Sequence, residues 1–343
     1  MKKKTKNRGE WSELYAFCKL MLDNRLPFGD SEGTANDKDY VTVLSLAHNH
    51  IDTIYSIKDA KKINIIKSDG SGEVEFFISE ILDEDKLDEV LKDIKSGVGR
   101  TFEMKSFNQI TERLDIQKFK GDSSSKADLS ISYTYEDIAL PLDPVGIKSF
   151  IGGAPTLLNS SAVTNFTYEI KGYKGTVADI NSISSRSAVK DRVKEIISQG
   201  AKLEFVCCGS DVHEENLRKV DSLMPEMLAS ALLDYYSGKG NLLSELVSEE
   251  QKVIRFKEYL KAVLLGMFSS KVWDGQYTSN GTIVIQNGGS LTLFHVMKDS
   301  TLKNYLFNKT KFDTPSTTKY KFGKIYTENG KFFIKLNLQI RNI

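Results

Sequence analysis

Cysteine is scarce in this chain, and only Cys18, Cys207 and Cys208 occur among its 343 residues. Three cysteines with this spacing exclude a disulfide framework and a zinc site of the usual ligand spacing. His213 and His295 have no partner at ligand spacing either, so we predict that they are structural or surface residues. This composition favours a reduced protein of the cytoplasm.

Long apolar runs are also missing. No uninterrupted apolar stretch approaches the roughly 20 residues of a membrane span. The basic start MKKKTKNR leads into no apolar block of a signal peptide. The P-loop, the G-x-G-x-x-G loop and the G-x-S-x-G elbow are absent as well. We therefore expect a soluble cytoplasmic protein, and none of these motifs identifies its functional site.

Charge is unevenly distributed, although the net charge is only +1. Residues 1–8 carry five basic side chains and no acid, and residues 69–93 carry ten acids against two lysines. Residues 303–343 carry nine basic side chains against two acids. Basic chain ends suit a polyanionic partner, but a solvated surface that averages out on folding is equally compatible with them.

The hydrophobic pattern predicts a mixed α/β protein with a helical middle and a β-rich, basic C-terminal part. A polar loop is predicted for DNRLPFGDSEGTANDKDY, and Asn329-Gly330 is typical of a type I′ hairpin turn. We expect one compact unit. Its predicted segments are 1–175, with catalytic strands at about 125–150, then the helical 176–268 and the β-rich 269–343.

The segment GEWSELYAFCKLML, residues 9–22, predicts a helix with two acids toward its apolar side. At about 100° per residue, Glu10 falls near the middle of the apolar arc and Glu13 near its edge. A carboxylate directed at a core is costly unless a cation or a metal pairs with it. Asn7 and Glu10 alternatively resemble a capping box. The opposite side of the predicted helix is formed by Ser12, Ala16 and Lys19.

Asp128 in KADLSISY and Lys148 in VGIKSF lie on two consecutive predicted strands. Side chains alternate along a strand, so an aspartate and a lysine on neighbouring strands can meet at one place. Metal-dependent phosphodiester cleavage needs such a site: carboxylates hold Mg²⁺, and a lysine orients water or offsets charge. The pair therefore indicates a metal-dependent nuclease.

This layout resembles the PD-(D/E)XK nuclease core, and we accordingly expect a mixed sheet of that type with helical insertions. In that core an acid lies two positions before the lysine, where this chain has Gly146. The resemblance implies that Glu10 or Glu13 supplies the missing metal ligand. Glu169 and Lys171 match the motif letters better, but they lie far along the chain from Asp128 and remain the alternative site.

Three separated blocks of the chain resemble the HpaII-type restriction endonucleases. The blocks are RGEWSELYAFCKLML, VGIKSFIGGAPTLLNSSAVTNF and KTKFDTPSTTKYKFGKIYTENGKFFIKLNLQIR. The resemblance implies a type II restriction enzyme that cuts double-stranded DNA at CCGG or a related site with Mg²⁺. It also implies a homodimer and a cognate DNA methyltransferase acting on the same site. A non-cleaving DNA-binding protein on this scaffold and a repair or recombination nuclease are the alternatives.

Given that resemblance, three polar segments are predicted to contact DNA, because lysines, arginines and hydroxyls bind phosphates and lysine also donates to guanine. Each segment has a simpler alternative as a basic loop or as turn and capping residues. The loop after the lysine strand offers Thr156, Asn159, Ser160 and Asn165. A helix N-terminus offers Arg186, Lys190 and Arg192. The tail offers Lys309, Lys311, Thr314, Ser316, Thr317, Thr318, Lys319 and Lys321.

Overall fold

In a computed structural model, the chain divides into two compact units. The first unit comprises Met1–Pro155 and Tyr277–Leu302, and the second comprises Thr156–Gln276 and Lys303–Ile343. Within the described residues, no helix is both long and apolar enough to cross a membrane. The structure describes residues 5–48, 52–58, 62–67, 73–114, 116 and 124–343.

The secondary-structure elements are numbered in chain order. The first are β1 Thr5–Lys6, α1 Arg8–Asp23, β2 Arg25–Gly29, β3 Ala35–His48, β4 Thr53–Lys58, β5 Lys62–Lys67, β6 Glu73–Phe77, α2 Glu84–Ser96, β7 Phe102–Glu103, α3 Lys105–Arg113, β8 Leu129–Tyr135 and β9 Ile138–Ser149. Next come β10 Thr156–Leu158, β11 Asn165–Lys171, α4 Val177–Asn181, α5 Ala188–Ser198, β12 Lys202–Cys208, α6 Asp211–Val220, α7 Met224–Ser237, α8 Leu243–Leu246 and α9 Glu250–Leu265. The last are β13 Gly281–Ile285, β14 Leu291–His295, α10 Asp299–Asn308, β15 Thr310–Asp313, β16 Ile325–Glu328, β17 Lys331–Asn337 and β18 Gln339–Asn342.

A nine-stranded sheet in the order β2-β14-β13-β9-β8-β3-β4-β5-β6 forms the first unit. Strand β2 pairs with both β14 and β3, so six of these strands close into a ring. Strand β9 lies antiparallel to β8 and parallel to β13. The hairpin predicted to carry the catalytic residues is thus a central part of the sheet.

Helix α1 begins with the capping box that its sequence predicts. The side chain of Asn7 accepts from the amide of Glu10, and the Glu10 carboxylate accepts from the amide of Asn7. The helix ends at Asn24, whose left-handed backbone lets its amide donate to the Leu20 carbonyl. Packing against both α2 and β9 explains why its burial extends beyond one face. Ser12 and Ala16, which are predicted to lie opposite the apolar arc, are accordingly fully buried as well.

The second unit contains two antiparallel sheets with helices. One has the order β12-β11-β17-β16, and the other has the order β10-β18-β15. The predicted turn at Asn329-Gly330 is confirmed, because both residues have positive φ values, 49° and 75°, between β16 and β17. Such a turn matches the twist of the paired strands.

One expectation about the fold differs from the structure. The segment predicted as a polar loop contains β2 and the first half of β3. The side chains in the first half of β3 are mostly polar and exposed, so they lack the apolar alternation of a half-buried strand. The segments 1–175, 176–268 and 269–343 stay a prediction. Strands β13 and β14 pair within the sheet of β9, since parallel strands can be joined through a long crossover connection.

Candidate active site

Strands β8 and β9 position two residues of the candidate site, Asp128 and Lys148. Asp128 lies directly before β8, and its amide donates to the carbonyl of Val145 at 2.9 Å. The amide of Ile147 donates in turn to Oδ2 of Asp128 at 2.7 Å. Burial raises the pKa of Asp128, while Lys148 and the Ile147 hydrogen bond act to lower that pKa. Asp128 and Lys148 are therefore electrostatic neighbours.

Helix α1 brings a second carboxylate to the same place. Burial raises the pKa of Glu13 to about 8, and the negative charge of Asp128 is the next largest cause. The positive charges of Lys6 and Lys148 act to lower the pKa of Glu13. A carboxylate whose pKa is raised by a second carboxylate belongs to a site that favours a cation, since a cation removes the repulsion.

Glu10 has a different role from Glu13. Its Oε2 accepts a 2.8 Å hydrogen bond from the amide of Asn7, and its own amide donates to Oδ1 of Asn7 at 3.0 Å. The capping alternative therefore describes the contacts of Glu10, and Glu13 is the better candidate for a metal ligand.

Lys126 is a member of this cluster that the sequence reasoning missed. Burial lowers the pKa of Lys126 to about 8, and Lys148 also lowers it, while Asp128 acts to raise it. Its signal was present in KADLSISY, because residues two apart on an extended chain point to the same side. The cluster thus combines two carboxylates with two lysines.

Gly146, the departure from the PD-(D/E)XK pattern, has no room for a side chain. A Cβ at this position would lie 2.8 Å from the carbonyl oxygen of Lys126 and 3.8 Å from Oδ2 of Asp128. A backbone atom cannot rotate away as a flexible side chain can. A second carboxylate beside Asp128 therefore cannot come from position 146 without a clash, and Glu13 on α1 is the candidate.

A divalent metal fits this donor set only in part. Among the described residues, no group of three His, Cys, Asp or Glu side chains is arranged to hold a metal ion. Asp128 and Glu13 nevertheless match the one or two carboxylates that Mg²⁺ usually takes from a protein, with water and substrate phosphate completing its shell. The two carboxylates therefore fit Mg²⁺ where water and a substrate phosphate supply its remaining ligands.

Glu169 and Lys171, the alternative pair, do not form a comparable buried cluster. Lys171 forms an exposed ion pair with Glu204, and Glu169 pairs with Lys331 at 3.2 Å. All four residues lie on strands of the four-stranded sheet, which does not contain β8 or β9. These contacts give Glu169 and Lys171 partners that need no metal.

The predicted DNA contacts from α5 and from the tail meet at one aromatic ring. The Nζ atom of Lys190 lies 3.8 Å from the ring centre of Tyr235 and 3.0 Å from Oδ1 of Asn241. The hydroxyl groups of Tyr235 and Thr314 are 2.9 Å apart. Lys190 and Thr314, which are distant in sequence, therefore belong to one surface.

The loop and the tail also meet on β18. Thr156 of β10 and Lys311 of β15 are both register partners of Arg341. Arg341 in turn donates from Nε to Oδ2 of Asp313 at 2.6 Å. Sequence reasoning missed Arg341, because it directly follows the apolar strand pattern that ends at Ile340.

Two of the predicted DNA contacts are buried and hydrogen-bonded within the protein. The side-chain amide of Asn165 donates to the carbonyl of Tyr320 at 2.9 Å. Arg192 donates to the carbonyl of Gly323 at 2.6 Å. Half-buried members of the predicted set are Thr156, Ser160, Lys190, Lys309, Lys311 and Thr314, and exposed ones are Asn159, Arg186, Ser316, Thr317, Thr318, Lys319 and Lys321.

Comparisons with known proteins agree over nearly the whole chain. A family model described as HpaII restriction endonuclease matches residues 7–342. The type II restriction enzyme HpaII of Haemophilus parainfluenzae is 35% identical over an alignment of 358 positions, which covers 98% of each chain. No solved structure matches the chain significantly.

Proposed function

The chain belongs to the HpaII restriction endonuclease family, and we propose that it cuts double-stranded DNA with Mg²⁺ at one short sequence. It is a type II site-specific deoxyribonuclease. Asp128, Glu13 and Lys148 form the proposed active site. The observation that carries the proposal is that two carboxylates are buried beside two lysines. Burial raises the pKa of both acids.

Asp128 and Glu13 are the residues that would hold the metal. When bound, Mg²⁺ supplies a Lewis acid that polarises the phosphodiester and favours ionisation of water. The Ile147 hydrogen bond keeps the Asp128 carboxylate in one orientation, so that its other oxygen points to a defined place. A carboxylate fixed in this way loses little conformational freedom on binding a cation.

Lys148 and Lys126 supply positive charge where the phosphate gains negative charge. Lys148 orients the attacking water or offsets that charge, which is worth most in a buried site of low dielectric constant. Lys126 lies in the same electrostatic cluster and adds a second positive charge. With two carboxylates and two lysines, the site has no large net charge before it binds cation and DNA.

The finer features of the function are proposed from the family. We propose CCGG or a related site, a homodimer that cuts both strands of a symmetric sequence, and a cognate methyltransferase that protects that sequence. We also propose that the sheet is a PD-(D/E)XK-type core. Its support is the antiparallel pair β8–β9, which carries the aspartate and the lysine, beside the parallel strand β13.

Digestion of an unmethylated plasmid tests this proposal. The wild-type protein is incubated with Mg²⁺, with EDTA or with neither, and the ends of the fragments are sequenced. Discrete fragments with one shared end sequence, only in Mg²⁺, would support the proposal and identify the site. A protein that binds DNA without cutting would favour the binding-protein alternative, which Gly146 motivates. Cutting without sequence preference would favour a repair or recombination nuclease.

A further inference from the structure

The three-stranded sheet β10-β18-β15 carries a polar row on one face. Thr156, Arg341 and Lys311 are register partners across the three strands, so their side chains lie side by side. Adjacent strands are about 4.8 Å apart, and the row therefore spans roughly 10 Å. The neighbouring residues Ile340 and Phe312 point to the other face and are buried. Burial of Ile340 and Phe312 fixes strands β18 and β15, and thereby the positions of Arg341 and Lys311.

Arg341 is held in one orientation by Asp313. Its Nε donates to Oδ2 of Asp313 at 2.6 Å, and Oδ1 of the same carboxylate accepts from the amide of Thr314 at 2.9 Å. The side chains of Arg341 and Asp313 remain 34% and 38% exposed, respectively. The guanidinium is thus fixed in direction but still reachable from solvent, and fixing it in advance lowers the cost of binding.

A guanidinium paired with a carboxylate has little net charge, so it contributes little to the general attraction of phosphates. Fixed orientation instead suits the two acceptors of guanine, O6 and N7, which require a planar donor in one geometry. Lys311 is beside it and carries the charge that a phosphate contact needs. The row therefore combines one direction-dependent donor with one cation and one hydroxyl.

We propose that Arg341 reads a guanine in the major groove, that Asp313 is its positioning residue, and that Lys311 and Thr156 bind the adjacent backbone. The major groove is wide enough for β-strands, which some DNA-binding proteins use for base contacts. This assignment rests on the proposed function, since it names the specificity determinant of that DNA site.

The test measures the affinity of each variant for two duplexes, one with the site found from the fragment ends and one without it. Ca²⁺ replaces Mg²⁺ so that the duplexes stay intact, and salt is held constant. Arg341→Lys keeps the charge but lacks the planar fork, so it should lose discrimination between the duplexes by roughly 5- to 150-fold. Arg341→Ala should behave in the same way.

The remaining variants separate base reading from phosphate binding. Lys311→Ala should weaken both duplexes equally, since a phosphate contact does not depend on sequence. Asp313→Asn removes a negative charge and the hold on Arg341, so it should bind the non-specific duplex at least as well while discriminating less. Lys202→Ala, on an exposed position of β12, is the control and should change neither affinity.

Two results would overturn the assignment. An equal loss of affinity for both duplexes in Arg341→Lys and Arg341→Ala would make Arg341 a phosphate contact, and unchanged affinities would remove it from the interface. Thermal denaturation identifies variants that fail to fold. If Arg341→Ala fails to fold, the conservative Arg341→Lys variant decides between a base contact and a phosphate contact. A wild-type protein that neither discriminates nor cuts would instead contradict the proposed function, independently of Arg341.

Discussion

The hydroxyl of Ser149 donates a 3.0 Å hydrogen bond to the hydroxyl of Ser12. Ser149 directly follows Lys148, and Ser12 directly precedes Glu13, so this bond joins β9 to α1 beside the candidate site. The hydroxyl of Ser12 donates onward to the carbonyl of Arg8 at 2.8 Å. The helix that carries the second carboxylate is thereby tied to the strand that carries the lysine.

Replacing Ser12 by Ala should weaken this tie. We expect a loss of about 1 kcal/mol in the free energy of unfolding, the usual contribution of one hydrogen bond. We also expect a lower kcat for cutting with little change in DNA affinity, because α1 moves relative to β9. Urea denaturation and single-turnover cutting measure these effects. Ser198→Ala, which removes an exposed hydroxyl bonded to Glu195 within its own helix, is the control. Unchanged kcat in a destabilised Ser12→Ala would show a purely structural bond.

Replacing Lys148 by Ala should lower cutting by at least about 100-fold, a typical loss for a group that stabilises developing charge. Affinity for the site in Ca²⁺ should remain close to that of the wild type, because the lysine acts on one phosphate among many contacts. The matched variant is Lys171→Ala, which breaks an exposed ion pair with Glu204 and should cut normally. Normal cutting by Lys148→Ala together with loss in Lys171→Ala would move the active site to Glu169 and Lys171.

Glu13 makes the stability of the metal-free protein depend on pH. Its pKa is about 8 in the folded protein against an ordinary value of 4.5, so between these values the folded state holds a proton that the unfolded chain has released. The free energy of unfolding must then fall as pH rises, by up to about 1.4 kcal/mol per pH unit. Glu13→Gln has no such proton, so its stability in EDTA should fall less between pH 5 and about pH 8. Urea denaturation at several pH values measures this difference.

Glu13→Gln should also lose stabilisation by Mg²⁺ and most of its cutting, because it removes a metal ligand. Glu10→Gln is the matched control, since glutamine can replace glutamate in a capping box. It should keep the Mg²⁺ stabilisation and the activity. Loss of both in Glu10→Gln, with both retained in Glu13→Gln, would assign the ligand to Glu10.

Features with local signals could be predicted from the sequence. Helix α1 has an N-cap, a capping box and an apolar arc within 16 residues, and the capping box follows from the spacing of Asn7 and Glu10. The choice between Glu10 and Glu13 could not be predicted. It depends on Asp128, which lies on a different element and reaches the helix only after the sheet has formed.

Features that depend on distant pairing could not be predicted. Strand β13 lies beside β9, although the bonded residues Thr282 and Gly146 are 136 positions apart. Only five residues of each strand pair with the other, so their sequences contain little information about the partner. The row of Thr156, Arg341 and Lys311 likewise forms from three strands in different parts of the chain. For this reason the sequence alone does not predict a role for Arg341.

Gly146 gives the sharpest test of how the site compensates for the missing acid. A Cβ at this position would meet the Lys126 carbonyl oxygen at 2.8 Å and would lie 3.8 Å from the carbonyl oxygen of Gly281 on β13. If glycine marks a dead site, restoring an acid should restore or raise cutting. If Glu13 already supplies the carboxylate, the same change only introduces a clash.

We therefore expect Gly146→Asp to lose cutting and about 1–3 kcal/mol of unfolding free energy, the usual cost of overpacking. Gly146→Ala introduces the same Cβ without a carboxylate, so a clash predicts a similar loss of stability in both variants. Urea denaturation and plasmid cutting in Mg²⁺ compare them with the wild type. A Gly146→Asp variant that cuts faster than the wild type would contradict Glu13 as the compensating ligand. The carboxylate two positions before Lys148 would then be the one that the chemistry requires.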